Sequence, residues 1–574
     1  MRALAAAVLV LWSGAAGALD YQVQIEAPRE LRQILEKGLN IVRWRTDPEV
    51  NEEMLRRLMD DAVRESREVA ATEGYFSAQA TIDLEQSSLP WQVRLHLDPG
   101  ERTRVSEVEI RFTGPALADG EARPLLARVR EKWSLRRGQP FRQADWDDAK
   151  SGAVRELAGW RYAAARLADS RADIDAQGRR AKLSVTLESG PRFRFGALSI
   201  TGTKRYSDRV VANLAPLRPG DTYDRDKLLL YQRRLLESGY FASVQAEIDA
   251  QPALADAAPL RVAVLEAPKH HIETGIGYNT DVGPNLSARY SNQDVLSRAW
   301  RFRTTLDLDR KIQNLQFDVD TPPRPGGVWT NFFTRARNTD IENQVTREIA
   351  GGASLNYGAT DTPYSLLVSA HNEDLRLPDG TADASYAVYF GARKSFRRTD
   401  SFISPREGYV LSGEIGGAPQ RFSSRTFLRG VANASLFIPI ARNDDFLLRG
   451  QAGAVFSDSR EGIPSTFLFR TGGDQTVRGY AFESLGVAQG GATVGGRRLA
   501  VGSAEYTRWV GESWGVATFF DIGNAWDSGA AARLARGFGV GARFRTPIGP
   551  IRADVAYGQQ THEIRLHFSV GYGF

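Results

Sequence analysis

Residues 551–557 read IRADVAY and the chain ends LHFSVGYGF. Ile551, Ala553, Val555 and Tyr557 are apolar, with Arg552 and Asp554 between them. Leu566, Phe568, Val570, Tyr572 and Phe574 alternate with Arg565, His567, Ser569, Gly571 and Gly573. A period of two marks a β-strand whose faces meet different surroundings. The pattern runs on from about Pro268, through TTLDLDRKIQNLQFDVDTPP, FFTRARNTD, SYAVYFGARKSF and DDFLLRGQAGAVFSD, with Gly, Asn, Asp and Pro between runs. Apolar residues on one face, with charge and glycine on the other, suit hydrocarbon outside and a polar lumen inside. A soluble sandwich also alternates, but a single sheet this long would leave edges to hide. Residues 268–574 are therefore predicted to form a transmembrane antiparallel β-barrel of about 16 strands. The mean hydropathy of −0.35 does not oppose this, because barrel strands are apolar on one face only.

The preceding segment obeys another rule. Three helical stretches, NEEMLRRLMDDAVRESREVAATE, QADWDDAKSGAVRELA and DRDKLLLYQRRLLES, end at Gly74-Tyr75-Phe76, Gly159-Trp160 and Gly239-Tyr240-Phe241. Each is preceded by a short strand (YQVQIEA, VSEVEIRFTG, FGALSITGT) and followed by two more. The repeat has the scale of a small domain. It predicts three α+β units at 19–103, 104–191 and 192–267, each glycine capping its helix at positive φ.

Before the repeats, Arg2 precedes an apolar run from Ala3 to Trp12 and then Ala16-Gly17-Ala18. That is the pattern of a cleaved secretory signal over residues 1–18. The absence of cysteine fits export through an oxidising compartment and removes thiolate chemistry and C2H2 fingers. A net charge of +5 is small for this length and gives no case for nucleic acid. The six histidines (96, 270, 271, 371, 562, 567) form no triad signature, and His270-His271 lacks a third ligand at useful spacing. No enzyme activity, cofactor or metal is expected. GIGYNTDVG lacks the strand-to-helix setting of a phosphate loop.

One long loop, roughly 457–495, contains GGDQTVRGYAFES with Arg478 near its middle. In SAEYTRW, Glu505 shares a face with Ser503 and Thr507; in VATFFDIGN, Asp521 shares a face with Ala517, Phe519 and Gly523. Strand parity turns both acids into the lumen. Their strands adjoin across the turn GES, so a loop folded back inside would let the guanidinium fork onto both.

FGALSITGTKRYSD, LRPGDTYDRDKL, LLESGYF and LRVAVLE together resemble the POTRA domains of the outer-membrane assembly-barrel superfamily. LRRGQPF and ELAGW carry the likeness into the second unit, and ATEGYF into the first, where RTDPEVNEE lacks the Gly-x-x-aromatic turn. VRGY and FFDIGNAWD resemble that superfamily's loop and strand motifs. The resemblance implies a lock in which Arg478 binds Glu505 and Asp521 beside Phe519, Gly479 permits the tight tip and Tyr480 packs on the lumen wall. The first and last strands, HIETGIGYN and LHFSVGYGF, place Gly275, Gly277, Gly571 and Gly573 inward. Glycine weakens strands, so this seam is expected to open laterally and admit a strand by β-augmentation. Terminal Phe574 resembles the aromatic residue that marks such barrels for insertion. Within the superfamily, three POTRA units resemble the TamA group, outer-membrane subunits of translocation and assembly modules. That implies an inner-membrane-anchored TamB-like partner, unfolded barrel and autotransporter substrates, and outer-membrane lipid around the barrel. A two-partner secretion pore for a dedicated exoprotein is the alternative.

Overall fold

A computed structural model describes residues 19–357, 362–401, 404–511, 513–527, 529, 532–546 and 551–570. The signal segment 1–18 and Gly571, Gly573 and Phe574 of the seam lie outside the described residues.

The first repeat is β1 (Tyr21–Glu26), α1 (Arg29–Gly38), α2 (Asn40–Arg43), α3 (Glu52–Thr72), β2 (Gln79–Glu85) and β3 (Trp91–Asp98). The last strand lies in the middle of the sheet, parallel to β1 and antiparallel to β2. The second repeat, β4 (Arg104–Thr113), α4 (Arg123–Glu131), α5 (Gln143–Leu157), β5 (Arg166–Asp175) and β6 (Arg180–Glu188), copies that order. The third is β7 (Phe195–Thr201), α6 (Asp208–Asn213), α7 (Arg225–Glu237), β8 (Phe241–Ile248) and β9 (Ala258–Glu266), with β9 central. Helix α3 starts where the Asn51 side chain accepts from the Met54 N–H, and its Leu55, Leu58, Ala62 and Ala70 stripe buries against the sheet.

The chain packs as two units. One runs up to Ala197 and takes in Pro219–Asp226 and Ile248–Leu260; the other holds Leu198–Arg218, Lys227–Glu247 and everything from Arg261 onward. The third repeat is thus divided between them.

Each glycine-aromatic turn ends a helix and also touches the next part of the chain. In the first unit the Gly74 carbonyl accepts from Thr103, and Phe76 packs 5.8 Å from Phe141 of the second repeat. Gly74 has φ +91° and Gly239 φ +75°, as expected of caps. At Gly159 the expectation fails: the left-handed residue is Arg161, at φ +65°. The turn runs further there because Gly159 accepts from Arg225 and Arg161 donates to the Tyr223 carbonyl. In the second unit the Tyr240 hydroxyl donates to Ala299 at 2.7 Å, and the Arg301 guanidinium stacks on its ring.

Sixteen strands make the barrel: β10 (His270–Asn279), β11 (Gly283–Val295), β12 (Trp300–Leu308), β13 (Ile312–Asp320), β14 (Trp329–Ile341), β15 (Gln344–Tyr357), β16 (Tyr364–Arg376), β17 (Ala382–Thr399), β18 (Gly408–Ala418), β19 (Phe427–Ala441) and β20 (Asp444–Phe456), then, after a loop carrying the small hairpin β21 (Val487–Gln489) and β22 (Ala492–Val494), β23 (Arg498–Val510), β24 (Trp514–Trp526), β25 (Ala535–Phe544), β26 (Ile551–Gly558) and β27 (Glu563–Val570). Every consecutive pair is antiparallel. Among the described residues no ladder joins β27 to β10, so the barrel is nearly closed. Outward positions are exposed apolar residues, such as Trp514, Val516 and Phe520 on β24, while Ala517, Phe519 and Asp521 are buried inside. Among the described residues no helix is long and apolar enough to cross a membrane.

The lumen departs from a uniformly polar lining. Tyr389, Phe427, Val455 and Leu499 face inward and form a core with Ile463, Phe467 and Phe469 of the loop. The inserted loop carries apolar side chains that need apolar neighbours, which strand parity alone does not reveal.

Candidate functional site

The loop between β20 and β23 turns back into the barrel, and Arg478 is fully buried at its tip. Its Nε and Nη2 donate to Asp521 at 2.7 and 3.0 Å, a bidentate fork. Its Nη1 donates to Glu505 at 2.7 Å and to Asp554 at 3.1 Å. The backbone N–H of Arg478 also donates to Asp521, at 3.1 Å. The guanidinium carbon lies 3.4 Å from the centroid of the Phe519 ring, a cation–π contact. A cation removed from water at this depth needs such complete pairing to offset its desolvation.

Register explains why these groups converge. Ser503 faces Asp521 across β23–β24, and Glu505 faces Phe519. Asp554 lies further round, on β26, and Arg543 of β25 ties the acids together, bonding Glu505 at 2.8 Å and Asp554 at 2.5 Å. Between Ala535 and Arg543, the inward positions of β25 are Gly537, Gly539 and Gly541. A Cβ on Gly539 would lie 2.6 Å from the Phe519 ring, and one on Gly537 would collide with the Arg478 carbonyl. The glycines form the groove in which the loop tip sits. Gly479, at φ +90°, passes so close to β26 that a Cβ would lie 2.7 Å from the Gly558 nitrogen. Tyr480 is buried with Val477 and Ala535, and its hydroxyl donates to the Arg536 carbonyl at 3.1 Å.

The structure therefore brings Arg478, Gly479, Tyr480, Glu505, Phe519 and Asp521 into one site. Sequence reasoning missed Asp554, Arg543, Ser503 and His567. Alternation turns Asp554 and His567 inward, but nothing local shows that the loop reaches their strands.

The tip also meets both sides of the seam. On β27, His567 Nε2 accepts from the Gly479 N–H at 3.0 Å. Beyond β10, Asp281 accepts from the Asp474 N–H at 2.9 Å and lies 3.6 Å from His567 Nδ1. The two edges touch where the Phe568 N–H donates to the Thr280 hydroxyl at 3.1 Å. Gly275 and Gly277 face inward, opposite Ser287 and Asn285 of β11.

A second anchorage holds the same loop to the β15–β19 wall. The backbone N–H and hydroxyl of Ser465 both donate to Glu373 at 2.7 Å. The Phe467 ring lies 4.8 Å from His371, 4.7 Å from Tyr389 and 5.0 Å from Phe427. Behind it, Ser369 Oγ is 2.9 Å from His371 Nε2, and His371 Nδ1 is 2.8 Å from Glu348. Two other histidines, both on β10, make side-chain contacts, His270 with Tyr290 and His271 with Glu273.

A barrel of this size with α+β repeats before it and a cation-tethered internal loop defines a class of outer-membrane protein, and the comparisons agree. Residues 272–574 match the Omp85 superfamily domain, and residues 193–266 match the POTRA family described as surface antigen variable number repeat. The chain belongs to the Omp85 superfamily. It is 23% identical over 453 residues to the outer membrane protein assembly factor BamA of Neisseria meningitidis, covering 72% of this chain and 55% of that protein. It is 24% identical over 432 residues to BamA of Neorickettsia risticii, covering 67% and 54%. The chain thus spans about half the length of these curated relatives. The crystal structure of Haemophilus ducreyi BamA lacking POTRA domains 1–3 shares the fold, at a TM-score of 0.56 and 15% identity over 82% of this chain and 100% of that one. The protein is a Gram-negative outer-membrane barrel with its POTRA units in the periplasm.

Proposed function

We propose that this chain is an assembly factor that helps unfolded β-barrel and autotransporter proteins enter the outer membrane. The observation that carries this reading is the seam between β10 and β27, which no ladder joins among the described residues, with the loop tip bonded on both sides of it. An edge strand offers unpaired N–H and C=O groups to an incoming strand. Among the described residues, opening the seam breaks no β-ladder, and the tip contacts both edges that would part. The outer strands of the three POTRA sheets, such as β2 and β5, offer further edges in the periplasm. The name shared by the curated relatives, assembly factor, supports the same reading.

The finer assignment is to the TamA group. Its support is the presence of three POTRA units in this chain, and its implied partner is an inner-membrane-anchored TamB-like protein docking on the barrel or POTRA edges. Energy would come from substrate folding and burial.

The reading is non-enzymatic. Ser369, His371 and Glu348 have the hydrogen-bond order of a nucleophile, base and orienting acid. Yet Val368–Ala370 pair with both β15 and β17, so the backbone donors an oxyanion hole would need are engaged in ladders. A fluorophosphonate probe should leave Ser369 unlabelled.

The chain has no cysteine of its own, so a Thr280→Cys/Phe568→Cys pair would join the edges selectively where they already touch. Oxidation should block assembly of an autotransporter substrate in proteoliposomes, and reduction should restore it. Full assembly by the oxidised protein would remove lateral opening from the mechanism. Crosslinked membranes that yield no TamB-like partner, together with a steady conductance and export of one exoprotein, would replace the assembly reading with that of a secretion pore.

A further inference from the structure

A lumen cavity of about 770 Å³ lies beside the Arg478 knot, walled by β17, β18, β19, β20, β23 and the loop. Its charge is unlike that of the knot. Arg393 and Arg397 face it from β17, Arg429 from β19 and Arg449 from β20, while Glu414 of β18 is its one carboxylate. Glu414 is already divided: it accepts from Arg393 at 2.6 and 3.0 Å, from Arg429 at 2.8 Å and from the Tyr389 hydroxyl at 3.0 Å. Arg449 meets no carboxylate among the described residues. Its Nη1 donates to the Gln475 carbonyl at 3.0 Å and its Nη2 to Ser503 at 3.2 Å. Its Nε is buried with no partner.

Arg478 spends its charge on three acids. In the neighbouring cavity Arg393 and Arg429 share the one carboxylate of Glu414, and Arg449 bonds neutral groups; a walled cleft with more guanidiniums than carboxylates concentrates anions. Planar guanidinium forks match the oxygens of phosphate groups bidentately. The volume falls within the roughly 300–1,000 Å³ of small-molecule sites, and Asn433, Gln451 and Ser412 supply neutral hydrogen-bonding groups around the cations.

We propose that this cavity binds a compact, multivalent phosphate-bearing anion, held by Arg393, Arg429 and Arg449. An anion there would bridge the β17–β20 wall to the loop through Arg449, whose other contacts are to Gln475 of the loop and Ser503 of the knot.

The test is calorimetric titration of pyrophosphate into the full-length protein in a zwitterionic detergent. The expected result is saturable binding at one site per chain, weakened at least tenfold by Arg449→Gln and again by Arg393→Gln. Heat-modifiable migration on gels verifies that each variant still forms its barrel. Competition then identifies the source: displacement by inorganic phosphate but not by phosphatidylglycerol bicelles means a soluble anion, and displacement by the bicelles means a lipid headgroup. Absence of saturable binding to the wild type, or affinity unchanged in the folded double variant, overturns the site.

Discussion

At the loop tip Arg478 meets three carboxylates, whereas at the earlier turn Phe467 meets three rings. The first anchorage concentrates its strength in one guanidinium that four neighbouring strands must aim at together. The second spreads it over Ile463, Phe467 and Phe469 against a wall of Tyr389, Phe427, Val455 and Leu499, with Ser465 bonded to Glu373. A charge network is directional and fails as a unit, because each member left behind is a buried, unpaired ion. An apolar contact surface fails in proportion to what is removed. The tip, next to the seam, has the anchorage that can be released all at once; the turn on the far wall has the one that yields gradually.

The largest effect should come from Arg478→Ala. It leaves Glu505, Asp521 and Asp554 close together, with Arg543 still bonded to Glu505 and Asp554 but no guanidinium fork on Asp521, and removing one partner of a buried charge network costs about 3–5 kcal/mol. Limited proteolysis should cut between 457 and 497, and the temperature of heat-modifiable migration should fall. Arg478→Lys keeps the charge without the fork and should recover only part of the loss. A protease-resistant Arg478→Ala protein would show that the far wall alone holds the loop.

Phe467→Ala tests the other half of the comparison. A buried Phe truncated to Ala costs about 3 kcal/mol. Here cleavage should be confined to the earlier part of the loop, around 460–470, while the tip stays protected. Cleavage spreading to residues 474–484 would mean that the two anchorages act as one.

The two were unequally legible in the sequence. Inward orientation of Glu505 and Asp521 came from counting by two along SAEYTRW and VATFFDIGN, and the cation came from the VRGY motif. Asp554 obeys the same count, but its participation depends on how deep the loop goes, which is a property of the folded barrel. The glycines of RGFGVGARF announce a flat inward face only once β25 is known to lie under the loop. Phe467 gave no periodic signal, because a 3₁₀ turn at Ser465–Phe467 has no strand alternation to read. The POTRA repeats were legible because each is local in sequence; the failure at Gly159 came from a hydrogen bond to Arg225, far along the chain.

Gly479→Ala separates the backbone path of the tip from its charge. The substitution combines a left-handed φ of +90° with a Cβ 2.7 Å from Gly558, and strain of this kind costs about 1–3 kcal/mol. The expected phenotype is a weakened Gly479–His567 contact at the seam with Arg478 still paired. Disulfide formation between Thr280→Cys and Phe568→Cys should become slower or less complete in its presence. Identical crosslinking would show that the tip does not set the seam.

The smallest effect sharpens the comparison by inverting it. In the second POTRA unit one carboxylate, Asp119, sits among cations and a phenol: Tyr162 at 2.7 Å, Arg161 at 3.0 Å and Arg192 at 3.1 Å. Burial alone would raise its pKa, but the hydrogen bonds from Tyr162 and Arg161 and the two guanidinium charges outweigh it and hold the carboxyl below its usual value. Tyr162 is pushed up to about 12 by burial and by Asp119. A depressed carboxyl stabilises the fold above its unfolded pKa of about 4 and loses that contribution as pH falls through the lower folded value. A raised tyrosine contributes below its unfolded pKa of about 10 and loses the contribution as pH rises toward its folded one. Asp119→Asn should therefore cost on the order of 1 kcal/mol at pH 7, read as a lower urea midpoint for the POTRA transition. The gap to wild type should narrow near pH 3, as the wild-type carboxyl approaches neutrality. A constant gap for Asp119→Asn would mean that shape, and not charge, holds this cluster together.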